Sequence, residues 1–307
     1  MTLNEKTEPS RAPLTIFNIS GYVFFPLENC ESYQMPVKNK CAELEIMGSI
    51  ILSPEGINVM MAGVESKIQE FINFLEQDLK FPPIDYRKSF SKEIPYNRLL
   101  IKVKNYIVAG EQYKFGADNG KALEPKEFKK WLDENKEMTV IDVRNDYENR
   151  VGKFSKSVDF GSYNFNEFPQ IAREKLGHLD RNETIVSICT GGIKTEKASI
   201  VLKDMGFKNV FFLKGGIIKY FEECGNDHYQ GDCFIFDKRV AIDSKLQETG
   251  ATMCYNCRAP VSPEEQKSPQ YVPEKSCPHC FTRKEQEKIS LARRLSRQNA
   301  NPLSQET

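Results

Sequence analysis

The run Val186-Ser187-Ile188-Cys189-Thr190-Gly191-Gly192-Ile193-Lys194-Thr195-Glu196-Lys197 reads as a buried strand that delivers a cysteine into a glycine-bearing loop at the start of a helix. The first N–H groups of such a helix point at the sulfur, and the helix dipole adds positive potential there. Lys194 and Lys197 add formal charge. These effects favour the thiolate, which is the nucleophilic form. The competing reading is a small apolar side chain that closes a strand, the usual place of a free cysteine. Paired glycines beside two cations favour the reactive reading. Phosphatase chemistry is excluded: a phosphate loop of this kind needs an arginine after five intervening residues, and Thr195 stands there. A threonine cannot neutralise a transferring phosphoryl group.

A second cysteine group lies downstream. Cys254 and Cys257 are separated from Cys277 and Cys280 by 19 residues, the spacing of a tetrahedral four-sulfur zinc site. Such a site is structural, because four sulfurs leave no open position. A redox-active pair and a site that has lost its metal are the alternatives. His279 falls inside a knuckle and is read as a bystander, while His178 and His228 have no partner at motif spacing. Asp142 and Arg144 end a strand, either as an ion pair holding the sheet edge or as support for the pocket around Cys189. Glu148 is a candidate acid or base by loop proximity.

The elements that would position these groups follow from the apolar periodicity. Strand, helix, two strands, helix and two further strands run from Leu14 to about Gly110, with Gly48 as a helix stop and strands near Ile84–Phe90 and Leu99–Val103. This order fits a ferredoxin-like or acylphosphatase-like α+β sandwich. Glu111–Lys121 reads as a linker. A helix starts at Glu124-Pro125, and strands Met138–Val143, Thr184–Cys189 and Val210–Leu213 alternate with helices Glu196–Met205 and Ile217–Cys224. That alternation predicts an α/β unit with a parallel sheet covered on both faces, with sites at the C-terminal strand ends. Asn149–Gln170 reads as a long loop whose Phe154, Phe160, Tyr163, Phe165 and Phe168 either stack on a base or join the core. Core is favoured. The expected divisions are a disordered lead-in at 1–13, domains at 14–110 and 121–225, a cysteine-rich zinc-ribbon-like extension at 226–282, and a basic tail at 283–307.

Lys plus Arg and Asp plus Glu each total 43 in 307 residues, so any nucleic-acid contact must come from a local patch. One candidate set is Arg87, Lys88, Lys92, Arg98, Lys102 and Lys104, read as a stripe on adjacent strands. The other is the tail, with Arg293 and Arg294, for which a solvated helix is the default. Nine cysteines in this pattern, with no membrane-length apolar run and no export signal, point to the cytoplasm.

The cysteine loop resembles that of rhodanese domains. More narrowly, Cys189-Thr190-Gly191-Gly192-Ile193-Lys194-Thr195-Glu196-Lys197-Ala198-Ser199 is similar to the C-T-G-G-I-R-C-E-K-A-S signature of the TrhO family of tRNA uridine hydroxylases. Supporting blocks are Ser53 to Asn58, Ile141 to Glu148, Leu213 to Ile217 and Phe236-Asp237-Lys238-Arg239. The resemblance implies an acylphosphatase-like domain followed by a rhodanese domain. It also implies oxygen-dependent hydroxylation at carbon-5 of the wobble uridine. Molecular oxygen would be the co-substrate and tRNA, at its anticodon region, the partner, with neither DNA nor membrane involved. Cys189 would be the catalytic group, with Thr190 to Thr195 as its loop. No haem, flavin or non-haem iron motif is evident, and the electron donor is not specified. Two positions depart from the signature, since the family has arginine at Lys194 and a second cysteine at Thr195. Lysine lacks the planar fork that grips an oxyanion, and Thr195 cannot resolve a disulfide. The rival readings are a sulfurtransferase carrying a Cys189 persulfide and a non-catalytic RNA-binding adaptor.

Overall fold

The computed structural model describes residues 15–110, 112–116, 118–282, 287–288, 290–292 and 294–295. The first unit comprises β1 (Ile16–Phe24), α1 (Cys30–Glu43), β2 (Met47–Ser53), β3 (Gly56–Gly63), α2 (Glu65–Asn73), β4 (Arg87–Ser91) and β5 (Leu99–Val103). Its sheet has the order β4-β1-β3-β2-β5, an acylphosphatase-like arrangement with one added edge strand. Alternation in β1 sends Phe17 and Ile19 into a core shared with Val37 and Cys41 of α1 and Ile68 and Phe71 of α2. Asn18, Ser20 and Tyr22 therefore occupy the opposite sheet face.

Gly48 is not the helix stop. Glu45 takes the left-handed conformation after α1, at φ 55°. Gly48 lies inside β2, where a Cβ would stand 2.0 Å from the Met60 carbonyl oxygen. Strand proximity, not helix termination, demands a glycine there.

The second unit comprises β6 (Lys121–Leu123), α3 (Pro125–Asp133), β7 (Thr139–Asp142), α4 (Asp146–Asn149), β8 (Gly152–Phe154), β9 (Ser157–Asp159), α5 (Phe168–Leu176), β10 (Thr184–Ile188), α6 (Ile193–Asp204), β11 (Asn209–Leu213) and α7 (Gly216–Cys224). Its sheet, β6-β11-β10-β7-β9, is parallel throughout. Apolar clusters cover both faces, one with Phe128 of α3 and Ile217 of α7, the other with Ala172 of α5 and Val201 of α6. Residues 149–170 are not a plain loop, because they contain β8, β9 and a short 3-10 turn. Phe154, Phe160, Phe165 and Phe168 are buried, and Tyr163 is exposed.

The chain then adds β12 (Tyr229–Gly231) to β8 and pairs β13 (Cys233–Phe234) with β14 (Ala241–Ile242). Tyr229, Cys233, Ile235 and Ile242 complete one apolar cluster of the second unit. The last hairpin, β15 (Thr252–Met253) with β16 (Pro260–Val261), carries the first cysteine pair. No helix among the described residues is long and apolar enough to cross a membrane.

The polar face of the first sheet docks on the C-terminal strand ends of the second. Lys197 bonds to Glu55 at 2.7 Å with both side chains buried, and Tyr22 donates to Glu196 at 2.6 Å. The Arg87 guanidinium donates to the Gly215 carbonyl at 3.0 Å.

Candidate active site

Cys189 directly follows the end of β10, with Thr190 between it and the glycine pair, and α6 begins at Ile193 rather than Glu196. Lys194 and Thr195 therefore stand in the first helical turn. Gly192 takes φ 97°, and its N–H donates to the Cys189 sulfur at 3.2 Å. Two hydrogen bonds fix the loop to α7, Ile217 N–H to the Cys189 carbonyl at 3.0 Å and Ile218 N–H to the Thr190 carbonyl at 3.1 Å. Gly216 makes this possible. A Cβ there would lie 2.5 Å from both carbonyl oxygens. At Gly191 an added Cβ would meet nothing within 4 Å, so the loop opens to a cavity at that point.

The cavity holds about 340 Å³ and lies between the two units. Cys189, Thr190, Gly191, Ile193, Lys194 and Glu148 border it from the second unit. Ser20, Tyr22, Asn58, Arg87 and Ser89 border it from the first sheet, and Ile235, Phe236, Asp237 and Arg239 close it from the following segment.

Glu148 and Lys194 meet at 3.0 Å, with Glu148 fully buried. Asn145 N–H and the Thr190 hydroxyl also donate to the Glu148 carboxylate. Burial works against the Lys194 ammonium, but Glu148 and the Cys189 sulfur outweigh it, and the pKa is raised. Cys189 runs opposite to the thiolate expectation. Burial pushes its pKa up, and this exceeds the lowering by Lys194 and by the amides of Thr195, Gly192 and Lys194. Burial thus works against the anion for which the surrounding donors form a cradle. Lys197 does not contribute to the cradle. It points to Glu55 and the Val108 carbonyl, and burial lowers its pKa.

Asp142 and Arg144 form a buried pair at 2.7 Å. Arg144 also donates to the Gly152 carbonyl and the Tyr229 hydroxyl, so the pair ties strand ends together and does not border the cavity. Thr195 is buried and donates to the Gly192 carbonyl at 2.6 Å.

The basic stripe does not form, because β4 and β5 are opposite edges of the first sheet. Arg87 is buried against Asp85 and Gly215. Lys88, Arg98, Lys102 and Lys104 are exposed, and of these Lys88 borders the cavity. Arg294 is helical and exposed, whereas Arg293 and the lead-in at 1–13 lie outside the described residues. His228 bonds at 2.6 Å to Asp133, which is 95 positions away and not at motif spacing.

Sequence reasoning missed Tyr22, Glu196 and the Asp237–Arg239 pair. Glu196 accepts from Tyr22 and, at 3.5 Å, from Tyr113. Burial raises its pKa despite these donors. Arg239 binds Asp237 at 2.5 Å and reaches Ser89 at 2.9 Å. Glu196 and the Asp237–Arg239 pair lie within blocks visible in the sequence, but nothing local marks Tyr22.

The sulfurs of Cys254, Cys257, Cys277 and Cys280 lie within 4.8 Å of one another, and all four residues are buried. Three separations are 3.5, 3.8 and 3.9 Å. A tetrahedron with metal–sulfur bonds of about 2.3 Å has edges of about 3.8 Å, so the donor set fits a metal ion. His279 pairs with Glu265 at 2.8 Å.

Residues 16–107 match the UPF0176 acylphosphatase-like domain and residues 124–223 the rhodanese-like domain. A tRNA uridine(34) hydroxylase of Cupriavidus pinatubonensis is 40% identical over 280 residues, covering 89% of this chain and 99% of that protein. The protein of that name from Paraburkholderia xenovorans is 38% identical over 278 residues, covering 87% and 96%. The one from Ralstonia nicotianae is 39% identical over 276 residues, covering 87% and 97%.

Proposed function

Because this chain belongs to the tRNA uridine(34) hydroxylase family, we propose that its target uridine enters the cavity above Cys189. The protein is an oxidoreductase that modifies tRNA by hydroxylating the wobble uridine. The sulfur-transfer and adaptor readings are not favoured, since relatives matching across nearly their whole length carry the hydroxylase name.

One observation supports the placement most. The cavity joins the catalytic loop to walls from both units, and its buried Arg87 and Arg239 and half-buried Lys194 are matched by carboxylates: Lys194 by Glu148, Arg87 by Asp85, Arg239 by Asp237. Such a lining suits an uncharged heterocycle with hydrogen-bonding edges better than a phosphate. The phosphates of the anticodon region would remain outside, where Lys88 stands exposed at the rim.

Cys189 is the group that acts on the base. The Gly192 amide and Lys194 stabilise negative charge on its sulfur, and Glu148 holds Lys194 in position. Converting the carbon-5 C–H to C–OH with molecular oxygen, the second oxygen atom leaving as water, consumes two electrons and two protons. A two-electron donor is therefore part of the reaction. Zinc would occupy the four-cysteine site, held by Cys254, Cys257, Cys277 and Cys280, and would supply local folding energy there.

The test is mass spectrometry of nucleosides from tRNA incubated aerobically with wild-type protein and with Cys189→Ala. Uridine gains one oxygen with wild type, and the gain disappears in the variant and without oxygen gas. Absence of the product alongside sulfur release from thiosulfate would establish sulfur transfer instead.

A further inference from the structure

We propose that Phe236 is the platform on which the target base stacks. The inference rests on the reading of the cavity as a uridine site and names the residue that receives the base. Phe236 borders the cavity yet is 51% exposed, an unusual position for a phenylalanine held so firmly. Its ring packs edge-on against Phe234 at 5.1 Å and 88°, and Phe234 in turn packs edge-on against Tyr147. The turn that carries it is closed by Ile235 N–H to the Val240 carbonyl at 2.9 Å. It is also tied to the first unit, by Lys238 N–H to the Pro95 carbonyl at 3.1 Å and by Arg239 to Ser89. The turn is thus tied to both units, while the ring itself stays half exposed with the Lys194 ammonium over one face.

Lys194 lies 5.7 Å from the ring centroid, so the platform and the cation of the Cys189 loop belong to one site. A flat base laid on Phe236 sits within the cavity that holds the sulfur. Every base has a π-face to offer, and an enzyme that does chemistry on a base takes it out of its stack and rebuilds the stacking with aromatic side chains. Hydrogen bonds from the other walls, not the platform, would select uridine.

Two measurements test this. In the full-length F236W variant, tryptophan emission is titrated with an anticodon stem-loop RNA bearing uridine at position 34 and with the same RNA abasic there. Trp131 is buried and is the chain's only native tryptophan. Quenching by the uridine RNA but not by the abasic one is expected, and equal responses overturn the proposal. In parallel, F236A and F236L raise KM for tRNA by about tenfold, and F236Y restores it. An F236L enzyme with wild-type KM reduces Phe236 to a packing residue and overturns the proposal. Nucleoside mass spectrometry of the wild type separates the two layers. Selective quenching without hydroxylated product keeps the platform and rejects the chemistry. Product without selective quenching does the reverse.

Discussion

The two cysteine centres of this protein are both buried and are built on opposite principles. Cys189 is a single thiol facing the Gly192 amide, with Lys194 contributing positive charge. Cys254, Cys257, Cys277 and Cys280 face one another within 4.8 Å. In the first, positive potential is supplied by the protein, while burial raises the sulfur's pKa against it. In the second, four sulfurs cannot ionise together without a cation among them. The contrast shows that cysteine density marks a metal centre, whereas the donors within reach of one sulfur mark a reactive one.

The sharpest way to break this contrast is to remove the metal. Structural zinc of this kind contributes about 10–16 kcal/mol to local folding, so Cys277→Ser or a strong chelator should release one zinc ion per chain. Residues 251–282 should then become protease-sensitive, while the parallel sheet of the second unit stays protected. Metal analysis with limited proteolysis checks this. If the chelated protein keeps residues 251–282 protected, the cluster holds together without an ion and the contrast fails.

A smaller effect is expected at Glu148. Removing one partner of a buried pair costs about 3–5 kcal/mol, and the partly exposed Lys194 (13%) places E148Q near the lower end. The variant also frees the Lys194 charge to act on the sulfur. Burial raises the Cys189 pKa and Lys194 lowers it. The inflection of Cys189 alkylation with pH should therefore fall in E148Q and rise further in K194A. The stability sign follows from the same shift. The folded thiol keeps a proton that the unfolded chain loses near pH 8.5, so stability attached to Cys189 declines as pH rises past that value. Equal inflections in all three proteins would remove Lys194 from the cradle.

Much of this contrast was legible in the sequence, because both centres are written locally. Strand, cysteine, two glycines and helix occupy neighbouring positions, and two CxxC pairs carry their own spacing. What was not legible depends on how distant segments meet. Tyr22 reaches Glu196 across 174 positions, and Lys197 is drawn away from the sulfur by Glu55. The basic stripe joined strands adjacent in sequence that the sheet order places on opposite edges. The opposing effect of burial on the Cys189 sulfur was not legible for a related reason. The helix start and the lysine are visible along the chain, but the burial that outweighs them comes from packing, with Cys189 set in an apolar cluster of the second unit.

The smallest expected effect concerns Thr195, where the resemblance places a second cysteine. Thr195 is fully buried and is not among the residues bordering the cavity. Its hydroxyl closes the first turn of α6 by donating to the Gly192 carbonyl at 2.6 Å. T195C exchanges that bond for a weaker thiol donor, at a cost of about 1 kcal/mol, which corresponds to a Tm decrease of about 2–4 °C in a protein of this size. Hydroxylation should stay within about twofold of wild type, because a sulfur there is directed at the Gly192 carbonyl and not at the base. Calorimetry and nucleoside mass spectrometry read the two quantities separately. A large gain in turnover would make the loop a two-thiol device in which this chain lacks one member. Unchanged turnover leaves Cys189 as a one-thiol centre, opposite in design to the four-thiol cluster.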